Sequence, residues 1–204
     1  MGLIFAKAGL ESLPVGAAEL FARYLALLQR WNLRLNLTAV REPGQVVQRH
    51  FCECAYAASR IPLGVETLLD FGSGAGFPGI PIAICRPEIH VTLAEGHAKK
   101  AAFLREVVRT LGMQADIFGG RVEAMAGELE FDCVALRAVE KMESAVPVAA
   151  RHARKCLLLL TTEGSARELQ AVVPEMNWDR LAHIPASERR VVAIGARHGT
   201  GGNV

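Results

Sequence analysis

The part of the sequence best suited to chemistry is a glycine-rich stretch that follows a short apolar run. The run covers residues 67–71, and glycines follow at positions 72, 74, 76 and 79. Glycine lets the backbone turn sharply and lets a ligand come close to the main chain. Because open α/β sheets bind ligands at the carboxyl ends of their strands, this stretch is a candidate ligand-binding loop.

A carboxylate follows at the end of the next expected strand. Glu95 lies 23 residues after Gly72, and an acid at that place suits hydrogen bonds to the two ribose hydroxyls of a nucleoside. The glycine-rich turn and the second-strand acid together indicate a nucleoside cofactor. Two simpler interpretations stay open: glycines that only make a turn, and Glu95 as a surface acid.

The glycine spacing fits more than one kind of nucleoside cofactor. Gly74-x-Gly76-x-x-Gly79 matches the dinucleotide fingerprint, so a nicotinamide-dependent oxidoreductase or a binding module is an alternative. Pro78 and Pro81 oppose it, because they remove N–H donors where a pyrophosphate would need them. The acid and glycine pattern of the whole stretch is similar to the cofactor motifs of Rossmann-like methyltransferases, which implies S-adenosylmethionine. A P-loop is excluded, since no Gly-Lys-Ser or Gly-Lys-Thr follows the glycines.

The cysteines and histidines do not form a pattern typical of a reactive or metal-binding site. No histidine pair has metal-site spacing, so no metal is expected, and His50 is expected to be a hydrogen-bonded core residue. The cysteines are odd in number and irregularly spaced, which favours buried free thiols over a disulfide framework. They are Cys52, Cys54, Cys85, Cys133 and Cys156.

Alternating strands and helices must position these residues, and they imply a mostly parallel, doubly wound, Rossmann-like α/β sheet. A helical extension over residues 1–62 is expected to precede one compact catalytic domain over residues 63–204. Residues 178–184 and 190–196 are expected to form an antiparallel hairpin at the sheet edge, and residues 199–204 a frayed tail. The other expected strands are residues 67–71, 89–94, 116–118, 131–136 and 156–160, and the expected helices are residues 17–31, 81–86 and 99–111, with one more opening at Pro43.

Length and charge restrict the class of protein. The 204 residues suit one α/β domain with an added element. No apolar run approaches the roughly 20 residues of a membrane span, and the start lacks a signal-peptide pattern, so a soluble cytoplasmic protein is expected. Net charge is only +2, but residues 1–50 hold six basic and three acidic residues. Such clusters suit phosphate binding, although solvated helix faces are the simpler interpretation.

A narrower resemblance covers most of residues 30–195. Its most specific run is residues 69–87, above all Gly76-Phe77-Pro78-Gly79-Ile80-Pro81. The other matching stretches are Asn36-Leu37-Thr38-Ala39 with Arg41 and Pro43, Arg49-His50-Phe51, Arg86-Pro87, Lys99 with Phe103-Leu104, Arg121-Val122-Glu123, Arg137-Ala138 and Glu188-Arg189. With these residues the chain resembles the glucose-inhibited division protein B family, bacterial guanine-N7 methyltransferases that act on 16S ribosomal RNA.

The resemblance implies methyl transfer from S-adenosylmethionine to N7 of a guanine, with 16S ribosomal RNA or the small ribosomal subunit as partner. It implies that Arg137 positions the reactants and that no general base is needed, because N7 carries a free lone pair. No membrane contact is implied, and a monomer is expected. The implied cofactor site is Gly72, Gly74, Phe77, Glu95, Val122, Glu123 and Arg137. The implied contacts with RNA or the target base are Asn36, Arg121 and Arg189.

Two departures from the family pattern concern the substrate side. The family often has serine where this chain has Leu136, and it tends to have lysine where this chain has Glu163. The second change reverses a charge beside the expected RNA surface. A methyltransferase that acts on a small molecule or a protein is therefore kept as an alternative.

Overall fold

The computed structural model describes Phe5, residues 13–125 and residues 129–197 of the chain. An eight-stranded sheet lies at its centre. The strands are β1 (Thr67–Phe71), β2 (His90–Ala94), β3 (Ala115–Phe118), β4 (Phe131–Arg137), β5 (Ala153–Thr162), β6 (Met176–Trp178), β7 (Ala182–His183) and β8 (Arg190–Arg197).

Helices cover the two faces of this sheet. They are α1 (Ala17–Leu35), α2 (Pro43–Val46), α3 (Glu53–Arg60), α4 (Gly79–Cys85), α5 (Ala98–Leu111), α6 (Met142–His152) and α7 (Glu163–Ala171). A π-helical turn (Val47–Cys52) joins α2 to α3, and a 3-10 turn (Val122–Ala124) follows β3. None of the described helices is long and apolar enough to cross a membrane.

The sheet has the order β3-β2-β1-β4-β5-β8-β6, with β7 also paired to β8. The strands β1 to β5 pair with one another in parallel, and β8 pairs with β5 in the antiparallel direction. The strand order reverses between β1 and β4, and doubly wound sheets bind ligands at such a switch point. The predicted mostly parallel, Rossmann-like fold is confirmed.

Successive side chains of the central strands enter two different apolar cores. Leu68 of β1 lies in the core that α1, α3, α4 and α5 share with one face of the sheet. The next residue, Leu69, lies in the core under α6 and α7 on the other face. This alternation is the period-two geometry of a strand whose two faces are both covered, which explains why the consecutive residues Leu68 and Leu69 are both apolar.

The N-terminal helices belong to the first of these cores. The ring of Tyr24 in α1 stacks on Phe51 of the π-helical turn, with 5.2 Å between ring centroids, and lies 5.6 Å from the ring of Phe77 in the glycine-rich stretch. Residues before the sheet therefore pack directly against the candidate ligand-binding loop. The division of the chain at residues 62 and 63 stays a prediction.

The C-terminal strands are antiparallel as predicted, but their arrangement differs in two respects. The single strand expected over residues 178–184 is wrong, because β6 ends at Trp178 and β7 covers Ala182–His183 alone. The strand expected at the edge, β8, lies between β5 on one side and β6 and β7 on the other. The reason is its burial: Val191, Val192 and Ala193 are almost completely buried, and an apolar run of this kind needs partners on both edges.

Several helices also differ from expectation. The helix that opens at Pro43 continues through the π-helical turn to Arg60, and α6 and α7 were not predicted. Pro147 lies inside α6 and hides the helical pattern, since proline ordinarily ends a helix. The prediction of free thiols is confirmed for all five cysteines, although Cys85 is only half-buried. The tail expected over residues 199–204 lies outside the described residues.

Candidate active site

An open cleft of about 1530 Å³ lies at the edge of the sheet where the parallel strands end. The last residues of three strands, Phe71, Ala94 and Arg137, line it. Side chains between residues 37 and 53 line a second part of the cleft, and residues 185–190 before β8 line a third. The cleft therefore occupies the switch point of the sheet, where the sequence places its candidate loop.

The glycine-rich loop, residues 72–79, needs glycine at several positions. Gly72, Gly74 and Gly76 have φ angles of +70°, +57° and +93°, a region that side chains with a Cβ rarely adopt. A Cβ on Gly76 would lie 2.7 Å from Ile80 and 2.8 Å from the Tyr24 hydroxyl, which donates a hydrogen bond to the carbonyl of Ala75. The loop is thus shaped by its own backbone and clamped by α1.

Asp70 anchors the loop from below. Its fully buried carboxylate accepts a hydrogen bond from the Gly79 N–H at 3.0 Å. Burial raises the pKa of this carboxyl to about 7, while the hydrogen bonds from Gly79 and Ser73 lower it. The second oxygen, Oδ1, has no hydrogen-bond partner among the described residues. Burial and hydrogen bonding therefore have opposite effects on the pKa of Asp70, and burial has the larger effect.

Glu95 is joined to the loop by backbone hydrogen bonds. Its Oε2 accepts from the Gly74 N–H at 2.9 Å, and its Oε1 accepts from the His97 N–H at 2.7 Å. The residue is only 8% exposed but lines the cleft. Each carboxylate oxygen can accept a second hydrogen bond, so the carboxylate is held in place and still able to accept from a hydroxyl group.

Residues after β3 form the side of the cleft beyond Glu95. Val122 is buried, whereas Arg121 and Glu123 are exposed, and all three line the cleft. The 3-10 turn Val122–Ala124 follows β3 here and begins directly after Arg121. An apolar surface beside an acid is the kind of environment that suits an adenine ring with its exocyclic amine.

Arg137 ends β4 and is held tightly. Its Nη2 donates to Glu53 Oε2 at 2.7 Å and to the Arg49 carbonyl at 2.7 Å, and its Nη1 donates to Cys54 Sγ at 3.3 Å. The guanidinium lies over the Phe77 ring at 5.6 Å. Segments that are more than 80 positions apart in the sequence thus meet at one side chain.

His50 lies beside this arginine in the wall of the cleft. Its Nε2 is 2.8 Å from the Thr38 hydroxyl, and its ring centroid is 4.7 Å from that of Phe77. Burial, and secondly the charge of Arg137, lowers the pKa of His50 to about 4. The imidazole is therefore neutral at physiological pH. It is hydrogen-bonded as expected, but it lines the cleft rather than lying wholly within the core.

The structure brings all but one of the sequence-predicted site residues together. Asn36 is exposed, accepts a hydrogen bond from Arg41 at 3.4 Å, and is not part of the cleft lining, where Leu37 and Thr38 lie instead. The residues that do line the cleft are Gly72, Gly74, Phe77, Glu95, Arg121, Val122, Glu123, Arg137 and Arg189.

The two departures from the family pattern lie away from the cleft surface. Leu136 is fully buried in the core under α6 and α7. Glu163 begins α7 and pairs with Arg167 at 2.7 Å, one helical turn further on, while its neighbour Thr162 lines the cleft. The negative charge of Glu163 is thus paired with the positive charge of Arg167 on the same helix.

Sequence reasoning missed Glu53, and among the cations of the cleft it predicted only Arg121, Arg137 and Arg189 as site residues. The one local signal for Glu53 is an acid between two buried cysteines, Cys52 and Cys54, because its partner Arg137 lies far along the chain. Besides Arg137 and Arg190, five cations line the cleft, and besides Glu53 and Glu95, three acids line it. They are Arg49, Lys100, Arg121, Lys141 and Arg189, with Glu123, Glu140 and Glu188.

The chain is similar in sequence to one family of enzymes. A family model described as rRNA small subunit methyltransferase G matches residues 17–190. The ribosomal RNA small subunit methyltransferase G of Xanthomonas axonopodis pv. citri is 38% identical over 177 residues, which are 86% of this chain and 78% of the relative.

Solved structures show the same fold at low identity. Ribosomal protein L11 methylase from Lactobacillus delbrueckii subsp. bulgaricus has a TM-score of 0.61 at 12% identity, covering 74% of this chain and 80% of that chain. The M. jannaschii protein TYW2, solved in complex with AdoMet, has a TM-score of 0.56 at 16% identity, covering 73% of this chain and 75% of that chain.

Proposed function

Because the chain belongs to the rRNA small subunit methyltransferase G family, we propose that it transfers a methyl group from S-adenosylmethionine to N7 of a guanine in 16S ribosomal RNA. The observation that carries the proposal is the glycine-rich loop bonded through Gly74 to Glu95 at the end of the neighbouring strand. The matched family is one of methyltransferases, which weighs against the nicotinamide-dependent alternative.

The residues of the cleft fit S-adenosylmethionine, which supplies an activated methyl group on a sulfonium. Glu95 would accept hydrogen bonds from the ribose hydroxyls, since two backbone donors already fix its carboxylate. Val122 and Glu123 would flank the adenine. Gly72 and Gly74 have positive φ angles, which favour glycine, and without side chains they let the cofactor come close to the main chain. Phe77 and Arg137 would bound the site on the side of the N-terminal segment.

Methylation at guanine N7 requires the protein mainly to position the reactants. The N7 lone pair is free at neutral pH, so the cleft has to align the reactants rather than remove a proton. Arginine usually grips O6 and N7 of guanine together, but N7 must stay free for the methyl group. Arg137 would therefore hold O6, a phosphate or the cofactor carboxylate. The neutral His50 beside it is not required as a base.

The cations of the cleft support RNA as the substrate rather than a small molecule. Arg121 and Arg189 are exposed and line the cleft from two sides, where they would meet phosphates or the target base. A splayed base in an RNA loop could reach this open cleft, whereas N7 in the deep groove of an A-form helix could not. Action in the cytoplasm as a monomer stays a prediction.

Labelled methyl transfer tests the proposal. The chain is incubated with labelled S-adenosylmethionine and either small ribosomal subunits or purified 16S ribosomal RNA, and the modified base is mapped. We expect label at N7 of a guanine in at least one substrate. Label confined to protein or to small molecules, with none in RNA, would contradict the proposed substrate.

A further inference from the structure

Glu53 is a buried acid placed between two arginines from different strands. It is the first residue of α3, and its Oε2 lies 2.7 Å from Arg137 Nη2 and 3.5 Å from Arg190 Nε. The side chains of Glu53 and Arg137 are 8% and 7% exposed. A charge buried to this degree is retained only when it is paired, and here it joins the end of β4 to the beginning of β8.

The π-helical turn before Glu53 contributes a second acceptor. Hydrogen bonds in a π-helix reach one residue further than in an α-helix, and such turns are frequent at functional sites. The Arg49 carbonyl in this turn accepts from Arg137 Nη2 at 2.7 Å. One guanidinium nitrogen is therefore gripped by a carboxylate and a carbonyl that both belong to the N-terminal segment.

These contacts decide which donors of Arg137 remain. A guanidinium has five N–H groups. The two on Nη2 face Glu53, the Arg49 carbonyl and, at 3.1 Å, His50 Nδ1, and one on Nη1 is directed to Cys54. Among the described residues, Nε–H and the second N–H of Nη1 have no hydrogen-bond partner. Arg137 lines the cleft, so the orientation of the N–H groups that remain for a ligand follows from its contacts with Glu53 and the π-helical turn.

The charges around Arg137 also indicate a role for Glu53. Burial and the nearby Arg137 lower the pKa of Arg190, while Glu53 raises it, so the two arginines repel each other and the acid offsets the repulsion. When the S–CH3 bond breaks and the N7–CH3 bond forms, the positive charge of the sulfonium moves onto the guanine. Without the carboxylate, that charge would form beside two uncompensated cations.

We propose that Glu53 is a positioning residue for methyl transfer, which orients the guanidinium of Arg137 and balances its charge. The inference rests on the proposed function. Glu53 acts through Arg137 and does not itself touch the reacting atoms. In this role Arg137 faces the target base or its phosphate rather than the cofactor, so removal of the Glu53 carboxylate should change the rate of the chemical step and leave the affinity for the cofactor product, S-adenosylhomocysteine, unchanged.

Single-turnover rates at saturating substrate and cofactor test this role. We expect Glu53→Gln to lower the rate at least about tenfold, corresponding to a loss of about 1.4 kcal/mol, with S-adenosylhomocysteine affinity unchanged within about twofold. Glu53→Asp keeps the charge and should retain most of the rate. Glu88→Gln is the matched control, because Glu88 pairs with Arg86 and does not line the cleft.

A double-mutant comparison separates positioning from structural support. In an Arg137→Ala background, adding Glu53→Gln should change the rate less than about twofold, since the side chain it orients is gone. A further tenfold fall there would overturn the proposal. The same comparison tests the proposal if Glu53→Gln alone does not fold, because the double variant removes both charges of the buried pair.

Wild type that transfers no methyl group would overturn the proposed function and this role together. Active wild type with an equally fast Glu53→Gln variant would overturn this role alone.

Discussion

Glu95 connects the glycine-rich loop to the expected ribose position with a single carboxylate. We expect Glu95→Ala to weaken S-adenosylmethionine binding by roughly 10–150-fold, because charge-assisted hydrogen bonds of about 1.5–3 kcal/mol are lost. Titration calorimetry measures the change, with Glu88→Ala as a control outside the cleft. Unchanged affinity in a folded Glu95→Ala variant would rule out the role.

Asp70 predicts a pH dependence of stability. Its folded pKa of about 7 lies above the ordinary value of 3.8, so between these values the unfolded chain loses the proton first. The contribution of Asp70 to stability is therefore present below pH 4 and is lost as pH rises to about 7. Relative to wild type, Asp70→Asn should gain roughly 1.4 kcal/mol per pH unit over this window and level off above it. Urea unfolding at several pH values measures the slope, and a difference that is constant with pH would show that Asp70 keeps an ordinary pKa.

His50 predicts a flat pH profile for the chemical step. With a pKa of about 4, its imidazole is neutral from about pH 6 to about pH 8.5, and a nucleophile with a free lone pair needs no base. We expect the single-turnover rate to vary little over this range, and His50→Ala to lower it less than Arg137→Ala. A tenfold rise per pH unit that His50→Ala abolishes would show that a base is at work and that N7 is the wrong target atom.

At the residue scale, local spacing predicts some site residues and misses others for a physical reason. Gly72, Gly74 and Glu95 stand at strand ends, so the sequence pattern alone indicates their position. The role of Glu53 depends on its contact with Arg137, which is 84 positions away in the sequence. A local sequence pattern does not reveal such a contact.

The glycine-rich loop is the element on which the cleft depends, and Gly76 tests it. Gly76→Ala places a Cβ 2.7 Å from Ile80 at a φ of +93°. We expect a loss of about 2–5 kcal/mol in the free energy of unfolding, from backbone strain of about 1–2 kcal/mol and overpacking of about 1–3 kcal/mol. Cofactor affinity should fall as well.

Gly112→Ala is the matched control for this change. Gly112 has a φ of +66°, and nothing lies within 4 Å of an added Cβ. It should therefore lose only the strain, about 1 kcal/mol. Urea unfolding compares the two variants, and equal losses would show that close packing around Gly76 contributes nothing.

At the element scale, periodicity predicts the strands better than the helices. The parallel strands are continuous apolar runs, which are easy to recognise. The helix after Pro43 contains a π-helical turn, α6 contains Pro147, and the outer strand is split into β6 and β7. Each of these irregularities depends on packing against distant segments, which a local pattern does not contain.

The whole molecule has a net charge of only +2, and seven cations and five acids line the cleft. RNA affinity should fall steeply with salt concentration, because each neutralised phosphate releases counterions. Arg121→Ala and Arg189→Ala should each reduce the slope of log affinity against log salt by about 1. Filter binding at several salt concentrations measures the slope, with Arg109→Ala, outside the cleft lining, as control. A flat salt dependence in wild type would favour a small-molecule substrate.

The position of β8 inside the sheet has a consequence for the order in which the protein is completed. A ribosome delivers the chain from its amino end, so β8 emerges after every strand it joins. Until then β5 has an open edge along the buried residues 157–160, and β6 and β7 lack the strand they pair with. Arg190, the first residue of β8, also pairs with Glu53. The strand that joins β5 to β6 and β7 therefore also contributes to the cleft, and a nascent chain has the complete cleft lining only after β8 has emerged.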